Sequence, residues 1–232
     1  MFVRAHHQRI ATVLSRLNAA LLKENACYFG GGTAIALLMN EFRESVDLDF
    51  MTSDVTRYRQ LRNLVSEGEG LRALLLDDLP LASDVRMDQY GIRTIVLVDN
   101  TPIKFEIVLE GRITFAQPTA RDEICGVTTL SRMDLATRKM LANADRGLDA
   151  SSFTRDLIDL AMMNLTRSQL AQALRKAEQA YSNSVSRSLH KVLILLEQQP
   201  ARLEQNMKRM GMTLPQAQLW QQLRKLKKRL PS

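Results

Sequence analysis

Apolar residues recur at intervals of three and four positions through the first part of the chain. The positions are Ile10, Val13, Leu14, Leu17, Leu21 and Leu22. Because this spacing places the side chains on one face of a helix, the sequence predicts a single amphipathic helix over about residues 4–25. His6 and His7 lie in that helix, and we expect both at the protein surface.

The pattern then changes to short apolar runs that predict strands at 27–29, 46–51, 92–98 and 103–109, with shorter ones at 113–115 and 127–130. One helix is predicted at 56–67. From Ser131 onward only helical patterns remain, near 131–147, from 154, from 166, at 183–199 and at 215–230. Two of these helices begin with capping-box pairs, Ser131 with Asp134 and Thr166 with Gln169. This shift predicts an α+β protein with two domains, residues 1–130 and an all-helical domain at 131–232.

Composition limits the class of protein. The chain has 232 residues, of which 45% are hydrophobic and 25% charged, as in ordinary globular proteins. Its longest apolar runs are too short to span a membrane, and polar residues interrupt the N-terminal segment. We therefore expect a cytoplasmic protein without a membrane partner. Cys27 and Cys125 have no Cys or His at metal-ligand spacing, which argues against a zinc site.

Charge points to a polyanionic partner. The formal net charge is +7, and residues 201–232 contain eight Lys and Arg side chains but one acid, Glu204. Such a segment can be a solvated helix face or a surface that contacts the phosphates of RNA. The sequence leaves both interpretations open.

The stretch between Phe29 and Phe50 carries the candidate chemistry. Three glycines, Gly30-Gly31-Gly32, separate a short strand from a helical segment predicted at 34–39, and the next strand contains Asp47-Leu48-Asp49. Alternate strand residues share a face, so both carboxylates should project together while Val46, Leu48 and Phe50 face the core. A glycine turn before a helix N-terminus can approach a phosphate, and nearby carboxylates suit Mg²⁺. Alone, an Asp-x-Asp pair is more often a solvated strand end.

The local sequence Gly31-Gly32-Thr33-Ala34, followed by Arg43, Ser45 and Asp47-Leu48-Asp49-Phe50, resembles the AbiEii/AbiGii-type toxin nucleotidyltransferases. These belong to the superfamily built on the DNA polymerase β-like catalytic fold. The resemblance implies a mixed sheet with helices, followed by a helical bundle. It also implies transfer of an NMP from an NTP, two Mg²⁺ ions, a toxin role and an antitoxin partner. We expect the acceptor to be RNA, such as tRNA, or a protein.

The resemblance extends to further residues of the first half. Glu106 is the candidate third carboxylate beside Asp47 and Asp49, for catalysis and metal binding, although the family often has Asp there. Lys104 lies on the same strand face, and the alternative is an ordinary Lys–Glu surface pair. The nucleotide-binding candidates are Gly31, Gly32, Thr33, Arg43, Ser45 and Lys104. Thr33 can instead cap its helix, and Arg43 can instead pair with a carboxylate.

In the helical half, Lys139 matches a family lysine and is a candidate nucleotide ligand. Arg155-Asp156-Leu157-Ile158-Asp159-Leu160 matches a family helix, in which Asp156 would orient Lys139. Alternatively, Asp156 and Asp159 are structural, with Arg155 and Asp159 forming an i, i+4 pair.

Two other functions fit parts of this pattern. A catalytically inactive nucleotide- or RNA-binding module with the same fold would not need three clustered carboxylates. A metal-dependent nuclease would not need the Gly31-Gly32-Thr33 phosphate cradle.

Overall fold

The structure is a computed structural model that describes residues 2–231. The chain divides into two compact units. The first contains the residues up to Leu38 together with Ser45–Ser131, and the second contains Met39–Glu44 and the chain from Arg132 onward. The second unit thus includes a six-residue segment that interrupts the first unit in the sequence.

A five-stranded mixed sheet forms the first unit. Its strands are β1 (Tyr28–Gly30), β2 (Leu48–Thr52), β3 (Arg86–Met87), β4 (Gly91–Val98) and β5 (Thr101–Leu109). Their order is β1-β2-β5-β4-β3, with β2 and β5 parallel and the other neighbours antiparallel. This mixed sheet confirms the predicted α+β class. A small hairpin follows, formed by β6 (Glu123–Ile124) and β7 (Val127–Thr128). The strand predicted at 113–115 is wrong, because those residues form irregular structure.

The helices of the first unit are α1 (Ala5–Arg16), α2 (Ala19–Glu24), α3 (Gly31–Leu38) and α4 (Val55–Glu67). The prediction of one helix over 4–25 is wrong. Leu17 has an extended backbone and forms an isolated bridge with Leu75. Asn18 then begins a new helix, because its side chain accepts the Leu21 N–H at 3.1 Å.

One face of the sheet is the core of the first unit. Phe29, Phe50 and Phe105 pack side by side on β1, β2 and β5, with ring centroids 5.4 and 5.5 Å apart. Val46 does not join this core, contrary to the prediction, and is 45% exposed. Because β2 begins only at Leu48, the strand alternation does not extend back to Val46.

The second unit is helical, as predicted. Its α-helices are α5 (Arg132–Arg146), α6 (Arg155–Met162), α7 (Arg167–Tyr181), α8 (Ser184–Gln198), α9 (Pro200–Arg209) and α10 (Gln216–Arg229). The capping box at the start of α7 is present, with Thr166 and Gln169 bonding to each other's backbone N–H groups. Across residues 2–231, no helix is long and apolar enough to cross a membrane.

Candidate active site

A row of paired residues crosses the sheet of the first unit. In order of the strands it consists of Gly30, Asp49, Glu106, Arg93 and Arg86, each the register partner of the next. Register partners project from the same sheet face, about 5 Å apart. The sheet therefore places a glycine, two carboxylates and two guanidinium groups side by side on the face opposite the phenylalanine core.

The glycines bring a helix N-terminus against Asp49. Gly31 has φ +71°, in the left-handed region that favours glycine, and begins α3. A Cβ at this position would overlap the Asp49 carboxylate. The helix thus starts at Gly31, three residues before the predicted start, and Gly31 and Gly32 form its first turn. Free N–H groups and the positive dipole end of a helix attract phosphate.

Lys104 lies among the three predicted catalytic carboxylates. Its ammonium group donates to Glu106 at 2.7 Å. Burial favours the neutral amine, but the bond to Glu106 and the charges of Glu106, Asp47 and Asp49 outweigh it, so the pKa of Lys104 is raised. Asp47 immediately precedes β2 and is half-buried. Its charge acts on the same ammonium group, so the structure brings these four side chains into one electrostatic neighbourhood.

Glu106 is engaged by two cations. Besides Lys104, the Arg93 Nε atom lies 3.3 Å from its carboxylate, and Arg93 also pairs with Asp88 at 2.9 Å. The predicted alternative of a Lys–Glu pair is therefore present. The carboxylate oxygens of Asp47 and Asp49 suit Mg²⁺ chemically. Within residues 2–231, however, no group of three or more acidic, His or Cys side chains is arranged to hold a metal ion.

A cavity of about 500 Å³ opens beside this cluster. Asp47, Lys104, Glu106 and Arg93 contribute to its wall, and Ile95, Val46 and Pro102 supply apolar surface. A volume of this order matches sites for nucleotide-sized ligands. The carboxylates and the ammonium group thus face a space that a substrate can enter.

Thr33 and Ser45 meet through their hydroxyl groups. The Thr33 Oγ1 donates to the Ser45 Oγ at 2.9 Å, which joins α3 to the segment before Asp47. The Ser45 backbone N–H donates to the His7 Nε2 at 3.2 Å. His7 is completely buried, so its predicted surface position is wrong. It instead anchors the segment that carries two of the candidate residues.

The second unit contains a buried cluster of ion pairs. The Arg43 guanidinium donates to both Asp159 oxygens, at 2.6 and 2.9 Å. Lys139 lies 2.6 Å from Asp159 and 2.9 Å from Asp156, and Arg146 donates to Asp156 at 2.8 Å. Arg43 thus shows the second predicted alternative, a carboxylate partner, although that partner is 116 residues away.

Lys139 lies between the carboxylates of Asp156 and Asp159. Both carboxylates contact the Lys139 ammonium group, and Asp159 also pairs with Arg43. Burial raises the pKa of Asp156, but the charges of Lys139 and Arg146 and the bonds they donate outweigh it and hold the pKa well below its usual range. The side chains of Lys139, Asp156 and Asp159 are at most 8% exposed.

Three residues of this region were not predicted as site residues from the sequence; they are Arg93, Arg86 and His7. The signal for Arg93 was available, since it interrupts the apolar run of 92–98. Its position beside Glu106 depends on the register of β4 and β5, which alternation alone does not specify.

A glycine-started helix against a strand carboxylate, with Glu106 and Lys104 on the neighbouring strand, is the arrangement expected at the active site of a nucleotidyltransferase. The chain matches the family described as "Nucleotidyl transferase AbiEii toxin, Type IV TA system" over residues 12–227. The protein therefore belongs to the AbiEii nucleotidyl transferase toxin family. Membership makes the protein a nucleotidyltransferase, and implies an NTP substrate and an antitoxin partner.

Solved structures resemble the chain at low sequence identity. JHP933 from Helicobacter pylori is 14% identical, with a TM-score of 0.44, over 91% of this chain and 98% of that one. A second H. pylori protein, described as a candidate nucleotidyltransferase, is 13% identical with a TM-score of 0.37, over 83% and 95%. No curated protein matches the sequence.

Proposed function

We propose that this nucleotidyltransferase moves an NMP from an NTP onto an acceptor, either RNA such as tRNA or a protein, and acts as a toxin restrained by an antitoxin. The position of Asp49 supports this most directly. Its carboxylate lies against the first residue of α3, in the register row that also holds Glu106. The start of α3, whose N–H groups would bind phosphate, therefore lies beside a carboxylate that would bind the metal ion.

Several residues of the first unit would bind the triphosphate together. The backbone N–H groups of Gly31 and Gly32 would meet phosphate oxygens at the start of α3. Lys104 would neutralise further phosphate charge, since its ammonium group lies at the cavity wall. Thr33 and Ser45 would hold the two segments together through their hydroxyl bond. The apolar wall of the cavity would receive the rest of the nucleotide.

The carboxylates have distinct proposed roles. Asp47 and Asp49 would hold the Mg²⁺ that accompanies the triphosphate, and Glu106 would hold a second ion. Bound Mg²⁺ supplies charge stabilisation for the attacking and leaving oxygens. Glu106 would in addition accept the proton of the attacking hydroxyl, whose oxygen forms a bond to the α-phosphorus of the NTP as pyrophosphate leaves. To free Glu106 for this role, Lys104 and Arg93 must release its carboxylate and bind phosphate oxygens instead. Both side chains are partly exposed, which permits this exchange.

The second unit supplies further candidates on its buried ion-pair cluster and on α10. Lys139 is the proposed nucleotide ligand of this unit, and Asp156 would orient it. On α10, three exposed cations make no ion pair within residues 2–231 and would contact acceptor phosphates; they are Arg224, Lys225 and Lys228. Arg229 differs, because it is bonded to Asn164 and Leu165.

The test is a labelling reaction with each α-³²P NTP, Mg²⁺ and either total cell RNA or total cell protein. We expect label to appear on one acceptor class with one preferred NTP, and to be lost in Asp49→Asn. Thermal melting of both proteins controls for folding. NTP binding without transfer would instead indicate an inactive module, and shortened RNA without label would indicate a nuclease.

A further inference from the structure

A second cavity of the first unit, of about 650 Å³, shares no wall residue with the one beside Glu106. Helix α4 forms one side through Tyr58, Arg59 and Arg62. The turn before β4 contributes Tyr90, and the end of β5 contributes Leu109. We call this space the Arg–Tyr cavity.

The Arg–Tyr cavity is positively charged. Arg59 and Arg62 are three residues apart on α4 and therefore share a helix face. Neither forms an ion pair with any residue from 2 to 231, and the described wall residues include no carboxylate. The nearest acid of the turn, Asp88, is already occupied, because it accepts bonds from Arg93 and from the Tyr90 and Gly91 N–H groups.

The cavity also presents an aromatic ring to solvent from an ordered turn. Tyr90 is 62% exposed, which is unusual for a large aromatic side chain. Its backbone is nevertheless held on both sides, since its N–H donates to Asp88 at 2.7 Å and its carbonyl accepts the Leu109 N–H at 2.9 Å. Tyr58 stabilises the same turn, because its hydroxyl donates to the Asp88 carbonyl at 2.7 Å. The exposed ring is thus carried on an ordered turn.

We propose that the Arg–Tyr cavity binds one nucleotide of a single-stranded nucleic acid, which rests on the proposed transfer to a polynucleotide acceptor. The base stacks on Tyr90, and the flanking phosphates contact Arg59 and Arg62. Stacking on an aromatic ring next to unpaired cations is how proteins hold single strands. The cavity volume suits one nucleotide. An acidic peptide would satisfy the arginines but would leave the Tyr90 ring without a flat partner.

The test measures binding alone, by fluorescence anisotropy with labelled U12 RNA and dT12 DNA and without NTP. The variants are Arg59→Ala/Arg62→Ala, Tyr90→Ala and Tyr90→Phe. The control is Arg175→Ala/Lys191→Ala, which removes the same charge from exposed positions on α7 and α8. Heparin serves as a polyanion without bases, and ATP as a free nucleotide.

We expect the Arg59/Arg62 variant to weaken U12 binding about tenfold and to reduce the salt slope by about 1.4, as for two single-strand phosphates. Tyr90→Ala should weaken U12 binding about tenfold but leave heparin binding unchanged, and Tyr90→Phe should bind like wild type. Tighter binding of U12 than dT12 would identify RNA as the source, and the reverse would identify DNA.

The proposal is overturned if the variants bind U12 like wild type or if the control pair weakens it equally. It is also overturned if ATP binds the cavity and the strands do not. The two proposals fail separately. Label transfer to protein without U12 binding refutes only the cavity's role, whereas cavity-dependent U12 binding without any label transfer refutes the proposed transfer.

Discussion

Replacing Gly31 with alanine tests the active site at its closest contact. The new Cβ meets two obstacles, the left-handed backbone at φ +71° and the Asp49 carboxylate, which it would overlap. The backbone strain costs about 1–2 kcal/mol for an L-residue. The overlap forces Asp49 or the start of α3 to move. A displacement of about 1 Å at a reacting centre can reduce a rate about a hundredfold.

Gly126→Ala is a matched control for this change. Gly126 also has a positive φ, +80°, but an added Cβ would meet nothing within 4 Å. Both variants therefore carry the same kind of backbone strain, and each should melt a few degrees below wild type. Only Gly31→Ala displaces Asp49, so the difference between the two isolates the effect on the site.

The assay compares label transfer and melting temperature for wild type and the two variants. We expect Gly126→Ala to transfer label at nearly the wild-type rate and Gly31→Ala to be slower by about a hundredfold. Equal transfer by the two variants would refute our placement of Asp49 at the reacting centre. A Gly31→Ala protein that fails to melt cooperatively would be replaced by Asp49→Asn in the same comparison.

Three other changes test the remaining assignments. Glu106→Gln should leave the Mg–NTP affinity measured by calorimetry within a few-fold of wild type. It should slow label transfer by about a hundredfold, because it removes a proton acceptor. If the variant transfers label at the wild-type rate, Glu106 is only a strand-surface residue. Asp156→Asn should lower the free energy of unfolding by about 3 kcal/mol in urea titrations at pH 7, since it leaves buried Lys139 with one carboxylate fewer. Folding lowers the pKa of Asp156 below its usual value of 3.8. The free energy of unfolding of the wild type should therefore decrease as the pH falls below 3.8, and that of Asp156→Asn should decrease less. The last change replaces three α10 cations with glutamine, namely Arg224, Lys225 and Lys228. It should flatten the salt dependence of RNA binding, and an unchanged slope would show that these residues do not contact RNA.

The parts of the fold with strong local patterns could be predicted from the sequence. The hairpin of β4 and β5 follows from two β-branched runs joined at Asp99 and Asn100, whose φ values of +50° and +57° suit these residue types. The capping box at Thr166 is equally local. Tertiary contacts overrode local patterns elsewhere. Leu17 continues the helical spacing of α1, yet its bridge to Leu75 ends that helix.

The candidate site residues could be named from the sequence, but their arrangement could not. The spacing of Asp47 and Asp49 indicated two carboxylates near a glycine turn, and the resemblance to a family added Glu106. The pairing of Asp49 with Glu106 depends on a parallel register between strands more than 50 residues apart in sequence. The arginine that pairs with Glu106 could not be predicted from the local pattern either. An arginine on a half-exposed strand face can pair with many different carboxylates, and the strand register decides which one it meets.

The two charged clusters differ in burial, and this difference separates their expected responses to mutation. The pairs of Glu106 with Lys104 and Arg93 are partly exposed, so each contributes little to stability and can exchange for phosphate. The pairs of Lys139 are buried, and removing one partner leaves an uncompensated charge. Changes at Glu106 should therefore affect transfer before stability. Changes at Asp156 should affect stability first, because its pair with Lys139 is buried.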